Sequence, residues 1–129
     1  MYIIWFLHRV PAPRADDFLA CVGQAIEVFH RHGAIGGTVY AMADPAAKYG
    51  CSAVETCIDV AEDEVLFAET AYFRDREHYD EVMPLVDADP ELEELYQVLI
   101  STIDIARTVR GEFSTILEIV GDRQPVPVT

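Results

Sequence analysis

Several polar or amphipathic side chains stand on segments of the sequence that are otherwise apolar, and they are the candidates for a functional site. Glu69 interrupts the apolar segment Val65–Phe73, and His8 lies near the end of the first apolar segment of the chain. A carboxylate on a half-buried strand must be paired or must change its pKa. We therefore expect Glu69 or His8 to act as a general base in a pocket between a sheet and its helices. The expected ligand-binding residues are Trp5, Arg9, Tyr40, Tyr72 and Arg110.

The same residues also have a structural interpretation. Glu69 would then form a pair with an arginine or a tyrosine, or it would lie at a surface-facing edge of the sheet. Trp5 would pack in the core rather than form the wall of a ligand site. No sequence motif decides between the two interpretations, and no reaction can be identified from the sequence.

The sequence lacks the motifs that would identify several more specific kinds of site. Glu27 and His30, like Asp75 and His78, place a carboxylate and an imidazole on one helical face, but no four-helix bundle is predicted in which they would meet. The sequence contains no G-x-S-x-G motif, no P-loop and no dinucleotide fingerprint. We expect no metal and no cofactor. A reaction at this site would need only a base, a hydrogen-bond donor and a dry pocket.

The chain is acidic, and its negative charge limits the kinds of molecule that it is expected to bind. It has 129 residues and a formal net charge of −14, and Lys48 is its only lysine. Such a field disfavours nucleic acid and anionic membranes and favours neutral or cationic small ligands, although a local pair of arginines would still hold one carboxylate. The three cysteines form no disulfide framework, and no apolar segment is long enough to span a membrane. We expect a cytoplasmic protein.

Strand and helix patterns alternate along the chain. Strands are predicted over residues 2–10, 35–42, 54–60, 65–73 and 113–120, with 54–60 and 65–73 forming a hairpin. Helices are predicted over 14–32 and 76–87, with Asp75 as the cap of the second and Pro84 expected to kink or interrupt it. A further helix is predicted to start at Asp89-Pro90-Glu91, with Asp89 as its cap. We expect one domain over residues 1–120 and a tail over 121–129.

Apart from the extra hairpin strand, the order β-α-β-β-α-β is the split βαβ arrangement of ferredoxin-like α+β domains. Helices in this arrangement cover one face of the sheet. Alternate residues of Tyr2–Leu7 point to opposite faces, and both sets are apolar. At about 25 cal/mol per Å², an uncovered apolar face would forfeit several kcal/mol. The sequence therefore predicts a homodimer in which a second sheet covers this face.

Short segments in a characteristic order span roughly the first 120 residues: Met1–Ile3, His32–Ile35, Glu62–Phe67, Ala88–Leu92, Ile103–Arg107 and Gly111–Glu118. They resemble the YbaA-like bacterial family, a domain of unknown function related to the dimeric α+β barrel proteins. The chain departs from that family at Ile4-Trp5, where the family has Asp-Gly, and at Glu112, where it has glycine. The bulky Trp5 is expected to refill or reshape the space beside its strand.

The resemblance implies a homodimeric α+β barrel in the cytosol and brings no established reaction or catalytic residues. Within the wider group of dimeric barrels, related folds catalyse cofactor-free oxygenation, isomerisation or dehydration, which is an analogy of fold alone. We therefore expect a small apolar or aromatic ligand, bound by a cofactor-independent enzyme of one of these types. Two alternatives stay open: a non-enzymatic module that binds a metabolite or a protein, and a haem-handling barrel with a histidine facing its cavity. Contact between Glu69 and His8 in a pocket would favour the enzyme.

Overall fold

The computed structural model describes residues 1–119 and residue 121, and it shows an α+β fold with one antiparallel sheet. The strands are β1 (Tyr2–Pro11), β2 (Gly36–Ala41), β3 (Glu64–Phe73) and β4 (Val109–Ser114), in the spatial order β2-β3-β1-β4. The α-helices are α1 (Ala15–Arg31), α2 (Val54–Cys57), α3 (Arg76–Asp87) and α4 (Pro90–Thr102). The predicted ferredoxin-like α+β class is confirmed.

The core lies between one face of the sheet and the helices α1, α3 and α4. Residues of even number on β1 point into it, and among them Ile4 and Val10 are almost completely buried. Phe18 of α1 is fully buried and stacks on Phe67 of β3, with ring centroids 5.4 Å apart. None of the described helices is long and apolar enough to cross a membrane.

Helix α1 approaches the sheet closely because β2 offers a glycine at the contact. A Cβ atom placed on Gly37 would lie 2.9 Å from Cγ1 of Ile26 and 3.0 Å from its Cγ2. A distance of 2.9 Å is too short for real carbon atoms, so a side chain at Gly37 would displace Ile26 or the helix that carries it. Gly37 therefore serves the packing of α1.

The caps of α3 and α4 follow the sequence prediction. The Asp75 carboxylate accepts a hydrogen bond from His78 N at 2.8 Å, and the Asp89 carboxylate accepts one from Glu91 N at 2.8 Å. The expected interruption at Pro84 is wrong, because α3 runs without a break from Arg76 to Asp87. Val82 and Val86 are buried on either side of Pro84, and their packing holds the helix to the sheet.

The extra hairpin strand predicted over residues 54–60 is also wrong. Residues Val54–Cys57 form the single-turn helix α2, and the rest of the segment is irregular. Strand β3, its predicted partner, pairs with β1 on one side and with β2 on the other. Because both edges of β3 are occupied, the alternating pattern of residues 54–60 has no edge of that strand to join.

The last strand is shorter and begins earlier than the prediction of 113–120. It runs over Val109–Ser114 and pairs with β1 until the register reaches Tyr2 opposite Ser114. Thr115 N also donates to Met1 O at 2.8 Å. Residues 115–119 lie outside the sheet. The predicted tail falls outside the described residues except for Gly121.

The sheet face turned away from α1, α3 and α4 is called the open face, and odd-numbered residues of β1 lie on it. Trp5 and Leu7 of β1 lie beside Ala68 of β3 and Val109 and Phe113 of β4. Phe113 is 54% exposed. The prediction that both faces of the sheet are apolar is confirmed.

Candidate functional site

The main cavity of the described chain lies between the sheet and the helices and has a volume of about 480 Å³. Small-molecule sites commonly measure about 300–1,000 Å³. Its wall is largely apolar, with Ile4 and Phe6 contributed by β1, Phe29 by α1, and Leu95 and Leu99 by α4. Five residues that can carry charge also line it: His8, Glu69, Asp87, Glu93 and Arg110. This combination of an apolar wall and a few polar groups is typical of a site for a small organic molecule.

Two of the predicted site residues meet in this cavity. His8 Nε2 lies 2.8 Å from Glu69 Oε1. The strand register explains the contact, because Glu69 of β3 lies opposite Phe6 of β1, and His8 follows Phe6 by two residues on the same face. His8 is 2% exposed and the Glu69 side chain is 12% exposed. The pair is thus withdrawn from bulk water and still faces the cavity.

The imidazole of His8 is held on several sides. Phe6 stacks on it with ring centroids 5.3 Å apart, and Phe18 meets it edge-on at 4.9 Å. Thr108 Oγ1 lies 3.5 Å from Nδ1. When Glu69 is ionised, its carboxylate accepts a hydrogen bond from Nε2–H. Among the described residues, Glu69 Oε2 has no hydrogen-bond partner, so it is the oxygen left free for a ligand.

Arg110 lies on the other side of Phe6 from Glu69. It is opposite Phe6 in the pairing of β1 with β4, and its guanidinium carbon is 5.7 Å from the centre of the Phe6 ring. Arg110 Nη1 donates to Glu112 Oε2 at 2.8 Å, and Nη2 lies 3.4 Å from the Tyr79 hydroxyl. Burial lowers the pKa of Arg110, but the hydrogen bonds to Glu112 and Tyr79 outweigh it and raise that pKa on balance. The guanidinium is therefore a fixed positive charge at the cavity.

Glu112 orients Arg110, and sequence reasoning did not select it. Its carboxylate accepts hydrogen bonds from the hydroxyls of Tyr2 and Tyr79 as well as from Arg110. The Tyr2 hydroxyl, followed by Arg110 and Tyr79, holds the pKa of Glu112 below its usual value. The available signal was that Glu112 departs from the glycine of the resembling family.

Cys21 also lines the cavity, but its thiol is poorly suited to nucleophilic chemistry. It is 5% exposed, and its Sγ donates to Leu95 O at 3.2 Å. Burial raises the pKa of the Cys21 thiol, and the negative charge of Glu69 raises it further. A thiol that stays protonated is a weak nucleophile.

The remaining predicted ligand-binding residues lie on the opposite side of the sheet. Trp5 and Tyr40 line a separate, smaller pocket of about 320 Å³ on the open face. Side chains alternate along a strand, so Trp5 and Arg9 point away from their neighbours Phe6 and His8. Trp5, Arg9, Tyr40 and Tyr72 therefore do not share the main cavity with Glu69 and His8.

Arg9 and Tyr72 are bound by the protein itself. Arg9 donates to Asp59 O at 3.0 Å and to the carbonyl oxygen of Arg107, and so fastens the segment after α2 to the sheet. Thr70 Oγ1 donates to the Tyr72 hydroxyl at 3.0 Å. Burial raises the pKa of Tyr72, but hydrogen bonds from Thr38, Thr70 and Tyr40 outweigh it and lower that pKa on balance.

Of the two motifs considered for metal binding, Glu27 and His30 are exposed, and Asp75 and His78 have other roles. Within residues 1–119 and 121, no group of three or more histidine, cysteine, aspartate or glutamate side chains is arranged to hold a metal ion. Asp75 caps α3, and His78 is buried rather than solvent-facing, with its Nδ1 accepting from Arg74 N at 3.0 Å.

Residues 1–101 match the family described as protein of unknown function (DUF1428), and the chain belongs to this family. No curated protein matches the sequence. The fold is similar to that of an uncharacterized NIPSNAP domain protein from Burkholderia xenovorans, with a TM-score of 0.55, 10% identity and coverage of 89% of this chain and 94% of that one.

A second similar structure is that of protein Atu4242 from Agrobacterium tumefaciens. Its TM-score is 0.52 at 14% identity, with coverage of 88% of this chain and 92% of that one. At such low identity these likenesses establish the fold alone. The function must therefore be argued from the chemistry of the site.

Proposed function

We propose that the protein is a cofactor-independent enzyme that moves a proton on a small apolar organic molecule bound in the main cavity. The observation that carries the proposal is the contact of His8 Nε2 with Glu69 Oε1 at 2.8 Å on the wall of that cavity. A carboxylate with one oxygen free and the other held by a buried imidazole has the geometry of a general base. The apolar wall supplies the dry surroundings that this chemistry needs.

In this proposal Glu69 removes a proton from a carbon next to a carbonyl group of the ligand. The C–H bond breaks, its electron pair moves into the carbonyl to form an enolate, and the proton is transferred to the Glu69 carboxylate. Where the ligand has a carbon–carbon double bond β,γ to the carbonyl, the enolate extends to the γ-carbon; return of the proton to that carbon moves the double bond into conjugation with the carbonyl and restores Glu69. His8 is a positioning residue, because its imidazole holds the carboxylate in place through Nε2.

Deuterium exchange into a small apolar ketone tests this function. We expect the protein to accelerate exchange of the α-hydrogens of 2-tetralone in deuterated water, measured by nuclear magnetic resonance. Glu69→Gln should slow the catalysed exchange by about 100-fold or more, the usual contribution of a general base. Glu94→Gln, which alters an exposed carboxylate of α4 that does not line the cavity, is the matched control. Binding of the ketone with no acceleration of exchange would contradict the enzyme and leave the binding module.

We also propose that the protein works as a homodimer in the cytoplasm, with the open faces of two copies packed together. The open face carries Trp5, Leu7, Ala68 and Phe113, whose apolar surface would otherwise stay in contact with water. A cytoplasmic location agrees with the thiols, since the three cysteines, all among the described residues, are free.

The segment that follows β4 supports the dimer independently. Ile116 is 96% exposed, Leu117 is 77% exposed and Ile119 is 86% exposed. Their β-branched and apolar composition led to the prediction of a strand over 113–120, yet the pairing of β4 with β1 stops at Ser114. A second copy would supply both an apolar surface and a strand edge for this segment.

A further inference from the structure

We infer that the natural ligand carries a single carboxylate that binds Arg110, with an apolar body lying across Phe6 toward Glu69. This inference rests on the proposed function, because it names the class of molecule on which the cavity acts. Two features support the inference. One is the position of a single positively charged residue in the wall of the cavity, and the other is the distance between that residue and the base, Glu69.

Arg110 is the only lysine or arginine among the residues that line the main cavity. Its guanidinium is fixed by Glu112 and Tyr79 at one edge, while Phe6 lies beneath it. A guanidinium has more N–H donors than these two partners occupy, and the fork that they form matches a carboxylate. The described structure thus presents an oriented anion-binding group whose orientation does not depend on a ligand.

The strand register fixes how the ligand must be arranged. Glu69 and Arg110 lie directly opposite Phe6 on the two strands that flank β1. Two strand spacings separate their Cα atoms by about 10 Å. A molecule that spans this gap can hold its carboxylate at Arg110 and present a carbon–hydrogen bond to Glu69. The carboxylate and the acidic carbon therefore belong to opposite ends of the ligand.

The other acidic residues of the wall limit the charge of the ligand to one. Asp87 at the end of α3 and Glu93 on α4 line the cavity and are exposed. A second anionic group near them would be repelled, and the net charge of −14 already disfavours polyanions. Phosphorylated and dicarboxylic compounds are therefore excluded from this class.

Paired probes that differ only in charge test the inference. We expect 2-naphthoate to bind the full-length protein about tenfold more tightly than the neutral 2-naphthamide, measured by calorimetry and by inhibition of 2-tetralone exchange. Arg110→Gln should remove this preference and leave the affinity for the amide within about twofold. Arg110→Lys, which keeps the charge but loses the fork, should retain part of it. Arg14→Gln is the matched control, since the Arg14 side chain is 43% exposed and that of Arg110 is 44% exposed.

The outcomes separate this inference from the proposed function. If the amide inhibits exchange as strongly as the acid, or if the preference survives Arg110→Gln, the carboxylate class is overturned and the cavity remains a binding site. If neither probe binds and 2-tetralone exchange is not accelerated, the proposed function fails and this inference falls with it. Preference for the acid that depends on Arg110 and not on Arg14 supports both.

Discussion

His32 Nε2 lies 2.7 Å from Asp89 Oδ2, and this contact joins the end of α1 to the start of α4. Arg31 Nη2 lies 2.9 Å from the same oxygen, while the other oxygen of Asp89 caps α4. One carboxylate therefore serves as a helix cap and as the partner of two basic side chains. His32, followed by Arg31, holds the pKa of Asp89 far below its usual value.

The depressed pKa of Asp89 predicts a stability that depends on pH in the acid range. A carboxyl whose pKa is lowered by folding contributes fully above its unfolded pKa, about 3.9, and loses that contribution as the pH falls toward the folded value. We expect Asp89→Asn to be less stable than the native protein at neutral pH, with the difference shrinking below about pH 4. Urea unfolding at several pH values measures this. Parallel curves for the two proteins would contradict the prediction.

Two glycine substitutions should change stability in opposite directions. Gly37→Ala places a Cβ atom 2.9 Å from Ile26 Cγ1 and should destabilise the protein by about 1–3 kcal/mol through overpacking. Gly23 lies within α1 with open space around its Cα, so Gly23→Ala should stabilise the helix by about 0.5–1 kcal/mol. Urea unfolding of both variants measures the free energies, and equal effects would show that α1 does not approach β2 as described.

Two of the three cysteines should be alkylated quickly and the third slowly. Cys51 and Cys57 are exposed, whereas Cys21 is 5% exposed and burial raises its pKa. We expect mass spectrometry after brief treatment with iodoacetamide to show modification at Cys51 and Cys57 before Cys21. Denaturation in urea should make all three react at similar rates. Early modification of Cys21 in the native protein would mean that the cavity wall opens readily.

If two copies pack together through their open faces, a charged side chain introduced on that face should weaken the dimer. Phe113→Glu should raise the dissociation constant of the dimer by about 30-fold or more, because an aromatic side chain of the proposed interface is replaced by a carboxylate. Leu85→Glu is the matched control, since Leu85 on α3 is 53% exposed and Phe113 is 54% exposed. Sedimentation velocity over a range of concentrations measures both. A native protein that stays a single subunit at micromolar concentration would overturn the dimer.

Short sequence patterns correctly predicted those helices, strands and caps whose formation depends on residues close together in the sequence. The caps at Asp75 and Asp89, the helix α3 and the strands β1 and β3 all follow from short-range spacing. The strand predicted over 54–60 failed because a strand also needs a free edge, and β3 had none to offer. Whether a strand finds a free edge to pair with depends on the whole sheet. The alternation of polar and apolar residues within one segment does not contain that information.

The candidate site was predictable in part for the same reason. Glu69 stood out as a charge in an apolar strand, and His8 lies on the same face of the sheet. Their contact depends on the register between β1 and β3, which no short segment reveals. Side-chain parity, by contrast, was available from the sequence: Arg9 follows His8 directly, and Tyr72 lies three residues after Glu69, so neither shares a face with its candidate partner.

The main cavity and the open face lie on opposite sides of one sheet. In a pair of subunits joined through their open faces, the two cavities would stand back to back, each with its own mouth toward the solvent and with two layers of strands between them. Occupation of one would leave the other unaltered. Titration with 2-naphthamide should therefore follow a simple hyperbola with a single dissociation constant. Each subunit of the pair would then bind and convert its ligand independently of the other.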